Sequence, residues 1–286
     1  MPIPDVVIVR TLDGQSYAEF IAKEINLKGY SCGITSVKNL RKYLKKSGCS
    51  PNSTIIHSRT ANPYNIYSIF NDLKKEGYTV INTAETIRLT SDKLNSSIFA
   101  MKNKIPCAES IKIRKSKATP IIKEKVKEWD KIIVKPITSQ GQGEFCFKFD
   151  KDNIKHLKKI NKVPMQDLVL QRFIDHQRLN RVIVIGFKAL KNAVFWDSPE
   201  QNWKCSVCEN QMIKHYKNPP KDLLKFAENV ARKIDGRVSF IDIFTTKNGY
   251  YLNEINTACD LTIHEGISKY NISGEIANHL ISYIKK

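Results

Sequence analysis

Two acidic residues and one amide interrupt an apolar hairpin near the C-terminus, in Phe240-Ile-Asp-Ile-Phe244 and Tyr250-Tyr-Leu-Asn-Glu-Ile-Asn256. Side chains alternate along a strand, so Glu254 and Asn256 share a face, while Asp242 stands inside the apolar run of the other strand. A buried carboxylate is costly unless something positive meets it. Two carboxylates and an amide oxygen form a hard oxygen set suited to magnesium, with manganese as a substitute. The same residues would also suit the solvent face of an edge hairpin, and their types alone leave both readings open.

A second stretch, Lys131-Ile-Ile-Val-Lys-Pro-Ile-Thr-Ser-Gln-Gly-Gln-Gly-Glu-Phe145, places two glycines after a β-branched run, with Lys135 just ahead of them. Glycine lets backbone N–H groups approach a phosphate without a Cβ in the way. Glycine pairs are also ordinary hairpin punctuation, and on these residues alone a plain turn is the simpler reading.

The elements that must position these groups fall into three blocks. Over residues 1–90, strand signals at 5–10, 54–57 and 78–81 alternate with helical runs at 16–27, 37–46 and 65–75, which predicts a small parallel sheet with helices on its faces. No glycine-rich dinucleotide fingerprint follows the first strand. Over residues 91–175, Ser91 is expected to cap a helix running to about Lys104. Strands at 110–113, 131–134, 144–149 and 168–174, with helices at 119–129 and 151–160, then predict an α+β module with helices on one face of an antiparallel sheet. Over residues 176–286, strands at 181–186 and 193–196, a helix at 222–234, a hairpin at 238–256 turning at Lys247-Asn-Gly249 and a closing helix from Ser273 complete the chain. The fold class is mixed α/β and α+β.

With 286 residues, 41% of them hydrophobic and 26% charged, the chain is long enough to bury a large core. No apolar run approaches the roughly 18 residues that cross a bilayer, and the opening Met-Pro-Ile-Pro-Asp lacks an export segment, so a cytoplasmic protein is expected. Seven cysteines, an odd number, fit reduced thiols. Cys205 and Cys208 form the one close pair, and no second pair completes a zinc site. The net charge of +19 implies a field that attracts nucleic acid, an acidic protein or a small polyanion. No helix-turn-helix, zinc finger or RNP-like motif turns that charge into base recognition, so nucleic acid is not the favoured partner.

The order of these signals over nearly the whole chain resembles the ATP-grasp carboxylate–amine ligases, in the RimK-type branch that adds glutamate or related amino acids to a carboxyl group. Ser91-Asp-Lys93 resembles the family's lysine-bearing helix start, and Val134-Lys-Pro136 its second nucleotide lysine. Ser139-Gln-Gly-Gln-Gly143 resembles the phosphate-covering loop, and Gln171-Arg-Phe-Ile174 the linker whose backbone holds adenine. The resemblance implies an ATP-grasp fold with a small N-terminal domain and two α+β subdomains. It implies ATP contacts by Lys93, Lys135, Ser139, Gln140, Gly141, Gly143, Gln171, Phe173 and Ile174, and magnesium at Asp242, Glu254 and Asn256. Arg181 would stabilise the transferring phosphoryl group. Under this resemblance the glycines read as a phosphate loop, expected to order when nucleotide binds.

Arg59, after an N-terminal strand, stands where relatives place a substrate-facing arginine and could hold an acidic acceptor. Departures cluster on the substrate side. Leu179 replaces an aspartate, Trp196-Asp197 replaces an arginine, and the segment from Asn202 to Gln211 lacks the usual asparagine and paired glycines, offering Ser206 and Asn210 instead. The expected partners are an amino acid and an acidic acceptor, which could be a cofactor, a peptide or a carrier protein; a homo-oligomer is compatible with this. The competing expectation is a nucleotide-binding relative with little turnover that docks on RNA or an acidic partner.

Overall fold

The computed structural model describes residues 2–10, 17–60, 66–137, 145–197 and 212–284. The N-terminal block holds β1 (Val6–Arg10), α1 (Ala18–Leu27), β2 (Cys32–Ser36), α2 (Leu40–Lys46), β3 (Ile55–Arg59), α3 (Tyr67–Lys75) and β4 (Thr79–Ile81). Its strands form a parallel sheet in the order β2-β1-β3-β4. Alternation divides the core: Val7, Val9 and Ile56 face α2 and α3, whereas Val6 and Ile8 face α1. Such a doubly covered sheet explains why its central strands read as unbroken apolar runs.

Two helices follow, α4 (Ala84–Ser91) and α5 (Lys93–Lys102), and here the expected cap is corrected. The Asp92 carboxylate, not Ser91, caps the second helix, accepting from the Leu94 and Asn95 amides at 2.8 Å. Ser91 ends the preceding helix, with its hydroxyl donating to the Ile87 carbonyl. The shorter helix was not visible in the sequence, its buried side being Ala84, Thr86, Ile87 and Thr90 with a single large apolar residue among them.

The middle module contains β5 (Ser110–Arg114), α6 (Ala118–Trp129), β6 (Ile132–Pro136), β7 (Phe147–Phe149) and β8 (Asp167–Arg172), an antiparallel sheet in the order β5-β8-β6-β7. The helix expected at 151–160 is instead a 3-10 stretch, Ile154–Lys162, broken at His156. Asp150 causes the shift, because its carboxylate accepts from the Asp152 and Asn153 amides and holds a turn where a helix would begin.

The C-terminal block comprises β9 (Arg178–Ile185), β10 (Lys188–Ala189), β11 (Asn192–Asp197), β12 (Lys214–Lys217), α7 (Lys221–Lys233), β13 (Val238–Thr246), β14 (Gly249–Asn256), α8 (Leu261–Ser268) and α9 (Ile272–Ile281). Its sheet runs β12-β11-β9-β13-β14 and is antiparallel, with β10 paired to β9. Helix α7 covers the face of Val182, Val184, Ile241 and Ile243. The other face sends Ile183, Ile185 and Phe240 into a core shared with α1, α9, Val6 and Ile8. The N-terminal and C-terminal blocks therefore share one core, in which α1 and α9 pack. The Asn82 amide reinforces the junction by pairing with both the N–H and the carbonyl of Val238, at 3.0 and 2.7 Å. No helix among the described residues is long and apolar enough to cross a membrane.

Candidate active site

Strand register aligns three charged side chains across the C-terminal sheet: Arg181 on β9 lies opposite Asp242 on β13, which lies opposite Glu254 on β14. Directly opposed strand residues share a face, so the three form one row. A bulge beside Asp242 absorbs the extra residue in β14 and leaves Glu254 and Asn256 pointing to that same side. Asp242 is only 3% exposed. Its carboxylate takes two parallel hydrogen bonds from the Arg181 guanidinium, at 2.6 and 2.7 Å. Burial pushes the Asp242 carboxyl above its ordinary range, and the guanidinium offsets part of that rise.

Helix α5 delivers Lys93 to the same row, where its ammonium meets Glu254 at 2.7 Å. Burial pulls the Lys93 pKa down, but Glu254 more than compensates and the net direction is up. Burial would raise Glu254, yet the ammonium groups of Lys93 and Lys135 hold it below the usual carboxylate range. The backbone N–H of Lys93 also donates to the Ile137 carbonyl at 3.1 Å, tying α5 to the end of β6. The Lys135 ammonium, on β6, makes no side-chain hydrogen bond or ion pair with any described residue; burial together with Lys93 pushes its pKa down, and Glu254 offsets part of that fall.

The carboxylates are thus not on a solvated edge. Although β14 is the sheet's outer strand, Asp242 lies one strand in and Glu254 is covered by α5. Two carboxylates and the Asn256 amide oxygen on one face fit a hard divalent cation. No group of three or more His, Cys, Asp or Glu that could hold a metal ion occurs among the described residues, so this set counts on the Asn256 amide as its third ligand. The five described cysteines are free thiols.

Other expected site residues divide. Ser139, Gln140, Gly141, Gly143, Ser206, Asn210 and the Cys205/Cys208 pair lie outside the described residues. Gln171 is buried on β8, its amide donating to the hydroxyls of Ser97 and Ser110 at 3.1 and 2.7 Å, so its side chain joins α5 to the middle module. The Phe173 N–H donates to the Lys131 carbonyl, and the Ile174 carbonyl accepts from His176. The His176 ring stacks on Phe244 at 4.1 Å, and the Lys148 ammonium sits 4.6 Å from the Phe173 ring centre. This aromatic group at the junction of two sheets was invisible in the sequence, since its members come from three separate segments. Trp196 is buried against Leu179 and Val194, its ring centre 5.4 Å from the Arg181 guanidinium carbon. Asp197 pairs with Arg178 and Lys214.

Arg59 ends β3 and is 2% exposed. Its guanidinium donates to the carbonyls of Thr257 and Cys259, in the segment just after Asn256. Near it, His264 bonds through Nδ1 to the Asp260 carbonyl, while His57 bonds through Nδ1 to the Ile81 carbonyl, both at 2.6 Å. Burial first, then neighbouring arginines, push the two imidazoles down to about 3 for His57 and about 4 for His264. Between these values and about 6.5, the unfolded chain binds protons that the folded chain refuses. Stability is therefore full above about pH 6.5 and falls as acid is added. The two histidines together should lower unfolding free energy by about 4 kcal/mol between pH 7 and 5, measured by urea denaturation. A flat profile over that interval would show that both rings are solvated.

The RimK-like ATP-grasp domain model matches residues 90–280. In fold the chain is similar to the ATP-grasp ligase PsnB solved with a phosphomimetic variant of a minimal precursor, magnesium and ADP, at 13% identity over 100% of both chains and a TM-score of 0.73. It is similar to the macrocyclase MdnC from Microcystis aeruginosa MRC bound with precursor peptide MdnA, at 14% identity over 97% of this chain and 99% of that one, TM-score 0.70. A third likeness is to D-alanine–D-alanine ligase from Bacillus anthracis, at 13% identity over 97% of this chain and 95% of that one, TM-score 0.70. At such identities the likeness is one of fold. No curated protein matches the chain.

Proposed function

This chain belongs to the RimK-like ATP-grasp family, and from that membership we propose that it is an ATP- and magnesium-dependent carboxylate–amine ligase. The observation that carries the reading is Lys135: a mostly buried cation that forms no ion pair with any described residue and shares its nearby carboxylate, Glu254, with Lys93, beside a paired set of oxygen ligands. A polyphosphate supplies the missing negative charge.

A carboxylate is a poor electrophile in water, so joining it to an amine requires activation. Transfer of the ATP γ-phosphoryl group to the carboxylate gives an acylphosphate; the amine then attacks its carbonyl carbon, phosphate leaves and an amide forms. Lys135 and Lys93 offset phosphate charge, and Arg181, held in place by Asp242, stabilises the transferring group. Asp242, Glu254 and Asn256 would hold magnesium, which would supply positive charge to the outer phosphates. The chain's own contribution is positioning and electrostatics.

Glutamate or a similar amino acid is the proposed amine donor, with an acidic cofactor, peptide or carrier protein as acceptor. The net charge of +19 supports an anionic partner, and precursor peptides bound to two neighbours of the same fold, PsnB and MdnC, support a peptide. The buried Trp196 beside Arg181 favours a second reading, nucleotide binding with little turnover. Cell extract incubated with the protein, ATP, magnesium and labelled glutamate separates the two. An ATP-dependent labelled adduct seen by mass spectrometry is expected, whereas nucleotide binding with neither adduct nor ADP release would leave the second reading.

A further inference from the structure

We propose that Arg59 is a positioning residue for the divalent-cation site, acting on the backbone behind Asn256 rather than gripping an acceptor; this rests on the metal assignment above. The residue comes from the N-terminal sheet, almost two hundred positions away in sequence, yet its fork closes on the far end of the metal hairpin. One Nη donates to the Thr257 carbonyl at 3.5 Å and the other to the Cys259 carbonyl at 2.5 Å. The guanidinium carbon lies 5.8 Å from the Phe240 ring centre. Phe240 pairs directly with Asn256 and precedes Asp242 by two positions on the same face. Arg59 thus braces the turn that leaves β14 through its carbonyls and β13 through a ring.

The neighbouring bonds have the same purpose. His264 bonds to the Asp260 carbonyl, the Asp260 carboxylate caps α8 by accepting from the Thr262 amide at 2.8 Å, and Tyr17 on the N-terminal side donates its hydroxyl to that carboxylate at 2.6 Å. The turn from Thr257 to Asp260 is therefore held at Thr257, Cys259 and Asp260 by three side chains, two of them from the N-terminal block. A guanidinium suits this task because its planar fork reaches two carbonyls at once, which a lysine ammonium on a flexible stem does not reproduce. Metal-ligand supports of this kind are typically worth 10–100-fold in affinity.

The test uses the full chain with a non-hydrolysable ATP analogue and manganese as the probe, read by electron paramagnetic resonance of bound Mn2+. Arg59→Ala should weaken Mn2+ binding in the nucleotide complex about tenfold or more, while binding of the analogue alone in chelator stays within about twofold. Added guanidinium ion at low millimolar concentration should restore part of the Mn2+ affinity, and Arg59→Lys should remain weakened. Mn2+ affinity in both variants within about twofold of the parent chain overturns the proposal. Where Arg59→Ala does not fold, Arg59→Lys decides the matter on the same readout, compared at equal thermal stability. Failure of the parent chain to bind Mn2+ with nucleotide would instead overturn the metal assignment, so the two failures are distinct.

Discussion

Replacing Lys135 with Met is expected to weaken a non-hydrolysable ATP analogue about 100-fold, or about 2.7 kcal/mol, while leaving the protein at least as stable as before. The two effects have opposite signs for one reason. A mostly buried ammonium group that forms no ion pair with any described residue destabilises the fold, as its lowered pKa reflects; it repels Lys93, and Glu254 offsets only part of that cost. Removing it should raise the unfolding free energy by roughly 1 kcal/mol. The same group gains most when a triphosphate arrives, because charge-assisted hydrogen bonds are strong where water is excluded. Calorimetry for binding and a thermal melt for stability give both signs. A loss of stability together with unchanged nucleotide affinity would make Lys135 an ordinary structural lysine.

Asp242→Asn is expected to cost 3–5 kcal/mol of stability, the usual penalty for breaking a buried ion pair from one side. The carboxylate is 3% exposed and accepts both forks of Arg181, so an amide in its place leaves a guanidinium facing a group that cannot return its charge. Mn2+ binding in the nucleotide complex should be lost as well. Replacing both partners with apolar residues, Arg181→Met with Asp242→Leu, should recover most of the stability and none of the metal binding, because the desolvation cost disappears with both charges. Urea denaturation of the two single variants and the pair measures this. A cost below about 1 kcal/mol for Asp242→Asn would mean that water reaches the pair.

Much of the site was readable as local pattern. The alternation of the hairpin puts Glu254 and Asn256 on one face, and the observed register keeps them there. The expected helices and three of the four strands in the N-terminal block followed apolar periodicity, which is a property of neighbours in sequence; β2, a short half-buried strand at the sheet edge, was not expected. The misplaced cap at Ser91 and the broken helix after Asp150 were decided by short side chains competing for backbone N–H groups, where two adjacent candidates read alike and only one geometry is satisfied.

What composition and order determined by themselves is the family, the charge and the list of groups able to meet phosphate and metal. What only the tertiary structure decided is which of those groups meet each other. Asp242 and Arg181 stand 61 positions apart and Lys93 and Glu254 161 apart, and their pairing depends on sheet register and on how α5 lies across β14. Arg59 shows the limit most clearly. An arginine after a strand reads as a ligand-facing cation, but the packing of the N-terminal block on the C-terminal one turned its fork onto the carbonyls of Thr257 and Cys259. Sequence patterns record which face of an element is apolar; they do not record where two elements cross, and long side chains take their partners from that crossing.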